Sequence, residues 1–425
     1  MLSLVLALAA APLQYQLDNG LTVVLDADPD AAQVAINVRY RVGSIADPPG
    51  RAGLAHFVEH MMFHEAGELG SGELSARLEA QGAIVVNAIT TFDRTEYFAL
   101  LLPDGLEEAI ALEAERMGSM GTAVRSDRIE EEKRIVENEL FDRIYDGPFG
   151  FAEMLAHELG YPEDHPMRRL PIGTLEDIDA ITVEDVRAFH RGFYVPANAT
   201  LVIVGKLDVE RVREVVAAKF GALPKATPER GPNVTWPKIP KRAIEGPDWV
   251  ASRPRISLRW PLKRLNDTDR AALEVLSSMI GSARVSRGAL ANLKDESIHR
   301  LTATVLDVPE GPYFRLDAWL APGSHVEVAR NRLLGVLQTY GSVPPTKAEL
   351  KGTRRLMRLA VSRALADLSA RASAYQWSVA KYGDAARVST LADAWDAVDA
   401  RAVQGAVARH LEGRHFVVVG RPVRK

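Results

Sequence analysis

His56, Glu59 and His60 fall within one five-residue stretch, His-Phe-Val-Glu-His. On a helix, positions four apart lie within about 40° of one line, so both imidazoles can reach a single ion. Two neutral imidazoles and a carboxylate from elsewhere make a three-ligand zinc site whose fourth position is left to water. Glu59 directly precedes the second histidine and projects to the same side, where a carboxylate can take a proton from that water. The common metalloprotease helix carries its glutamate directly after the first histidine. Here the order is inverted, H-x-x-E-H. Two histidines and a glutamate also suit a solvated helix face, so spacing alone leaves both readings open.

A third ligand has to come from elsewhere, and the richest source of carboxylates downstream is Glu130–Asp142 (EEEKRIVENELFD). Glu132 and Glu139 are seven apart, two helical turns on nearly one line, and Glu130 and Glu137 form a second such pair on another face. Ile135 and Val136 flank the first pair, while Phe141 and Ile144 flank the second. Hydrophobic periodicity therefore does not choose between them. Ser126 or Asp127 caps this helix, and acidic residues occupy its first turns as the helix dipole prefers.

Composition narrows the chemistry. The chain has no cysteine, which excludes disulfides, thiolate metal sites and cysteine nucleophiles and leaves histidine as the nitrogen ligand. A formal charge of −4 and the lack of a long basic run argue against nucleic acid as a partner. There is no G-x-S-x-G for a serine hydrolase. At 425 residues and 47% hydrophobic, the chain is long enough for two domains. Residues 1–11, apolar and rich in alanine, resemble an export signal without its usual basic start and are too short to span a bilayer. Export to a periplasmic or extracellular compartment is the expectation, with a cytoplasmic location as the alternative. No other stretch reads as transmembrane.

Elements that would position the motif can be read in order. Gln14–Asp26 reads as two strands around Asp18-Asn19-Gly20, and Val34–Val42 as a strand leading into the histidine helix. Gly72–Ala80 reads as a helix. Ala83–Asn87 and Glu96–Leu102 read as strands on either side of a turn at Thr90-Thr91-Phe92-Asp93. Helix follows from Leu106 for about forty residues with a break near 118–126, and Thr182 caps a helix that precedes the strand Ala199–Gly205. Lys225–Asp248, rich in proline and poor in aliphatics, reads as a linker. Beyond it the pattern repeats: strand 255–260, helix 268–280, strands 301–305 and 313–320, two long helices and a closing strand 415–420. The pairing of TLVIVGK (200–206) with HFVVVGR (415–421) marks a duplication. The expected fold is α+β: two homologous sandwiches, each an antiparallel-rich sheet with packed helices. The expected domains are 12–224, which carries the metal motif, and 249–425, joined by a linker at 225–248. The second-half counterpart of the histidine helix, Asp269–Ile280, has no histidine. Folding thus does not require the histidines, which favours function.

Taken together, Gly53–Phe63 (GLAHFVEHMMF), Asn87-Ala88 with Thr91–Tyr97 (TFDRTEY), Glu132–Leu140 (EKRIVENEL) and His165–Thr174 (HPMRRLPIGT) resemble the pitrilysin family of zinc metallopeptidases, the inverzincins, over essentially the whole chain. The resemblance implies one zinc ion per chain held by His56, His60 and Glu139, with Glu137 in reserve. It implies Glu59 as general base and Glu132 as the glutamate supporting the ligands. It further implies that the strand edge at Asn87 and Ala88 pairs with the substrate backbone, and that the halves form a clamshell around a peptide. The function implied is endopeptidase cleavage of peptides or unfolded segments. The rival is a non-catalytic scaffold subunit of the same fold. Departures from the family pattern are His64-Glu65-Ala66-Gly67 after the motif and a second half that offers Tyr313 for substrate but no matching arginine. Such a deficit points to a homodimer, or to a heterodimer with a catalytically silent homologue.

Overall fold

The computed structural model describes residues 11–64, 72–236, 239–281 and 297–423; the segment 1–10 and the departure at 65–67 lie outside them. The first half forms strands β1 (Leu13–Gln16), β2 (Thr22–Ala27) and β3 (Val34–Tyr40), followed by helices α1 (Leu54–His64) and α2 (Glu73–Ala80). A hairpin of β4 (Val85–Thr90) and β5 (Thr95–Leu101) follows, then α3 (Leu106–Ala123), α4 (Ser126–Ile144) and α5 (Gly150–Gly160). Short α6 (Leu175–Asp179), α7 (Val183–Phe193), β6 (Ala199–Gly205) and α8 (Val209–Lys219) complete it.

After an extended stretch come β7 (Ile244–Asp248), β8 (Arg255–Pro261), α9 (Asp267–Gly281), β9 (Ile298–Leu306) and β10 (Tyr313–Leu320). Helices α10 (Val326–Ser342), α11 (Lys347–Ala366), α12 (Leu368–Tyr382), α13 (Leu391–Asp396) and α14 (Ala400–His410) lead to β11 (Phe416–Pro422). The expected linker ends early. Its last five residues form β7, an edge strand running parallel to β11. Gly246 and Pro247 hid it, since both are depleted in strands and proline is tolerated only at an edge.

The duplication is explicit in the sheets. The first runs β1-β2-β6-β3-β5-β4 and the second β7-β11-β8-β10-β9. Apart from β1 the orders are the same, each with one parallel pair, β2 with β6 and β7 with β11. The inner strands of the first sheet, β3 and β6, are buried at all seven positions, as a sheet covered on both faces requires.

Among the described residues the chain groups into two compact units that are discontinuous in sequence, unlike the expected domains. One takes in residues to Asn138, 170–232 and 362–389; the other takes in 139–169, 233–361 and 390 onward. In the first unit, α12 packs across β3 and β6. Gln376 Nε2 donates to Asn37 O, Asn37 Oδ1 and Thr200 O at 2.9–3.0 Å, and the Tyr375 hydroxyl donates to Asp26 at 2.8 Å. In the second, α5 packs on β7 and β11. Ala152 and Ala156 meet Val418, and Arg259 holds Glu153 at 2.5–2.7 Å. Burial would raise the Glu153 carboxyl, but Arg259 and Arg255 beside it bring it down to about 2.

Candidate metal centre

Helix α1 is held at its start by Asp47, whose two carboxylate oxygens accept the backbone N–H groups of Gly53 and Ala55 at 2.8 Å each. A carboxylate suits a helix N-terminus, where N–H groups lack intrahelical partners. The entry is tight. Gly53 has φ +99° and Gly173 φ +84°, and a Cβ on Gly173 would lie 2.2 Å from the Ala52 carbonyl oxygen. Only glycine combines a left-handed conformation with so close an approach. This gives the Pro-Ile-Gly-Thr stretch at 171–174 a physical role: it braces the start of α1. Leu54, Ala55, Phe57, Val58, Met61 and Met62 are at most 1% exposed, so core packing fixes the helix's rotation.

The two histidine rings lie 4.6 Å apart between centroids, inclined at 70°. Ligand atoms of His56, His60 and Glu139 all lie within 4.8 Å of one another. Donors around a tetrahedral zinc ion sit about 3.3 Å apart, given bonds near 2 Å, so side-chain rotations would be needed to bring these three onto one ion. Two imidazoles and a carboxylate suit zinc, and no thiolate is needed. Glu139 comes from α4, and Glu137 on the same helix is not part of the cluster. Arg143, one turn on, pairs with Glu139.

Glu132, 2% exposed on α4, accepts from His60 Nδ1 at 2.7 Å. An ionised carboxylate can only accept, so paired with ionised Glu132 the ring would carry its proton on Nδ1 and leave the Nε2 lone pair for a metal. The helical register thus places two glutamates differently: Glu139 lies within 4.8 Å of the imidazole nitrogens and Glu132 hydrogen-bonds one ring.

Glu59 is 7% exposed and its Oε2 accepts from Thr90 Oγ1 at 2.5 Å. Sequence reasoning missed Thr90 because it placed that residue in the turn. The strand instead runs to Thr90, which pairs with Thr95, and the turn spans 91–94. The signal was the strand alternation, which puts residues 86, 88 and 90 on one face. Asn87 and Ala88 lie on the same strand, opposite Phe98 and Tyr97, at the β4 edge of the first sheet. Asn87 is exposed, and its own Oδ1 accepts the Ala88 N–H at 2.8 Å.

Tyr313 belongs to the other unit, on β10 between Pro261 and Leu306, with its ring 6.2 Å from that of Trp236. Two basic residues near it in sequence are already engaged: Arg300 stacks over Trp319 at 4.9 Å and Arg315 pairs with Asp317 at 2.9 Å. The residue on α9 that matches the histidine helix, Glu274, accepts from the Trp395 indole at 2.7 Å.

Residues 22–143, which include His56, His60 and Glu139, match the family model described as insulinase, peptidase family M16. Residues 180–307 match the family's second model, described as the peptidase M16 inactive domain. The chain belongs to the M16 family. This is the pitrilysin family that the motifs resemble. The histidine-free α9 falls within the stretch matched by the inactive domain. The zinc protease PqqE of Helicobacter pylori is 30% identical over 276 residues, 64% of this chain and 61% of its own length. In fold, a crystal structure of a protease from Helicobacter pylori matches with a TM-score of 0.86 at 23% identity, covering 97% of this chain and 99% of that one. The periplasmic protease PqqL from Escherichia coli matches with a TM-score of 0.77 at 20% identity, over 98% of this chain and 48% of that one. Among the described residues no helix is long and apolar enough to cross a membrane.

Proposed function

We propose that this M16 member is an active zinc-dependent endopeptidase that cleaves peptides or unfolded segments. The observation that carries the reading is the His56–His60–Glu139 cluster, with His60 oriented by buried Glu132 and a carboxylate, Glu59, on the same face of α1. Zinc held there would supply the Lewis acid that polarises the scissile carbonyl and acidifies water. Glu59 takes a proton from the attacking water and returns it to the leaving amine. The exposed edge of β4 at Asn87 and Ala88 receives the substrate main chain as an added strand, so main-chain geometry rather than a tight sequence code selects peptides. A scaffold subunit has no use for a triad, its orienting glutamate and an adjacent base together. The apolar start of the sequence and the periplasmic address of PqqL support an exported protein. Tyr313 is the second-half residue assigned to substrate, and dimerisation with a like or silent homologue would supply an arginine beside it.

A chelator should abolish cleavage of a quenched peptide by the purified chain, and zinc should restore it. Glu59→Gln should keep the metal and lose turnover, because an amide cannot accept the proton. Cleavage that survives complete metal removal would refute the zinc peptidase reading. A folded Glu59→Gln protein without zinc would make Glu59 a ligand instead.

A further inference from the structure

We infer that Thr90 is the positioning residue that fixes the Glu59 carboxylate for proton transfer, an inference that rests on the peptidase reading above. Thr90 is 8% exposed and Glu59 7%, and the 2.5 Å contact between Thr90 Oγ1 and Glu59 Oε2 is the shorter of the two that this hydroxyl makes. The other is to Thr95 Oγ1 at 3.3 Å. Thr95 is fully buried and spends its own proton on the Val42 carbonyl at 3.0 Å. A charged acceptor at 2.5 Å outcompetes a neutral one at 3.3 Å, so the Thr90 proton goes to Glu59. The hydrogen bond to Oε2 restrains rotation of the carboxylate about its last bond and so favours one plane for the other oxygen. Proton transfer is sensitive to that orientation, since misplacement by about an ångström costs on the order of 100-fold in rate.

Thr95 anchors the pair from below. Its hydroxyl is itself held by the Val42 carbonyl at 3.0 Å. Thr90 is therefore braced by the fully buried Thr95 hydroxyl and not by solvent. The strand adds a second consequence. Thr90 lies two residues beyond Ala88 on β4, about 7 Å along it. One strand thus both receives the substrate main chain and holds the base, which couples the register of the peptide to the place of the carboxylate.

The test compares Thr90→Val, which keeps the shape and removes the hydroxyl, with Thr90→Ser, which keeps the hydroxyl. Thr90→Val should lower kcat about 10–100-fold, as loss of a partner that orients a site residue does, with KM and zinc content near wild type. Thr90→Ser should recover most of the rate. In a Glu59→Gln background, Thr90→Val should change kcat little, because the group it positions is gone. The inference is overturned if Thr90→Val keeps wild-type kcat, if it loses zinc together with activity, or if Thr90→Ser is equally slow. High-resolution structures of the metal-free wild type and both variants give a readout independent of turnover. The Glu59 carboxylate should stay at residue 90 in the wild type and Thr90→Ser and turn away in Thr90→Val. A carboxylate that does not move in Thr90→Val also overturns the inference. A wild-type chain with no chelator-sensitive cleavage sinks the peptidase reading alone, and the structures then decide the role of Thr90.

Discussion

Replacing Glu132 by glutamine tests whether the buried glutamate on α4 supports a metal ligand or merely pairs with a histidine. The side chain is 2% exposed and accepts His60 Nδ1–H at 2.7 Å. Glutamine keeps the shape and one acceptor oxygen but removes the charge that makes Nε2 a better donor, and it brings an amide N–H₂ into a buried place. An exposed ion pair is worth at most about 1 kcal/mol, which would change zinc affinity by about fivefold or less. Burial removes that screening, and loss of an outer partner of a ligating histidine typically costs about 10–100-fold, or about 1.4–2.7 kcal/mol. The two readings therefore predict separable outcomes. Competition with a chelator of known zinc affinity at neutral pH measures the ratio, with circular dichroism to confirm that α4 is intact. A zinc affinity within about threefold of wild type would refute the assignment of Glu132 as a support for His60.

Two further outcomes follow from the geometry. Glu139→Gln should strip or greatly weaken zinc, while Glu137→Gln should leave metal content near normal; metal analysis of the folded variants decides, and the reverse pattern would put the carboxylate ligand on the other face of α4. Acid should destabilise the metal-free fold well above the carboxylate range, because burial holds His157 and His190 down to about 4. Unfolded histidine titrates near 6.5, so the unfolded chain takes up these protons first and stability falls as pH drops from about 6.5 to about 4, by roughly 3 kcal/mol per group at the limit. Urea unfolding at pH values across that window measures the slope, and His157→Gln should flatten it; an unchanged slope in that variant would remove His157 from the account.

The elements with strong periodicity were legible. Strands 199–205 and 313–320 keep their expected bounds, and α7 begins at the expected cap, with Thr182 and Asp185 forming a capping box. The helix that carries His56 and His60 was legible because the spacing of those residues implies one. Periodicity did not choose between Glu137 and Glu139, because both faces of α4 carry apolar neighbours and only packing sets the helix's rotation; the family resemblance chose Glu139. Helix α5 escaped notice because its buried side rests on Ala152, Ala156 and Gly160, small residues that leave little periodic signal. Its partner surface is distant in sequence, and so are the partners of Gln376 and Arg371 on α12: Asn37, Thr200 and Asp28. A local pattern holds no information on such pairings. Thr90 was misplaced for a related reason, since two successive threonines read equally as strand or turn.

The two sheets share one strand order, yet each is covered by a helix from the other repeat. Helix α5 of the first repeat lies on the second sheet, and α12 of the second repeat lies on the first. The two helices hold equivalent places in the repeat, each following a pair of long helices. A homodimer of single repeats that exchanged this helix would give the same arrangement once its chains were fused end to end. A repeat made by itself would lack the helix that closes its own sheet, so the half that carries the histidine helix depends for its core on the half without it.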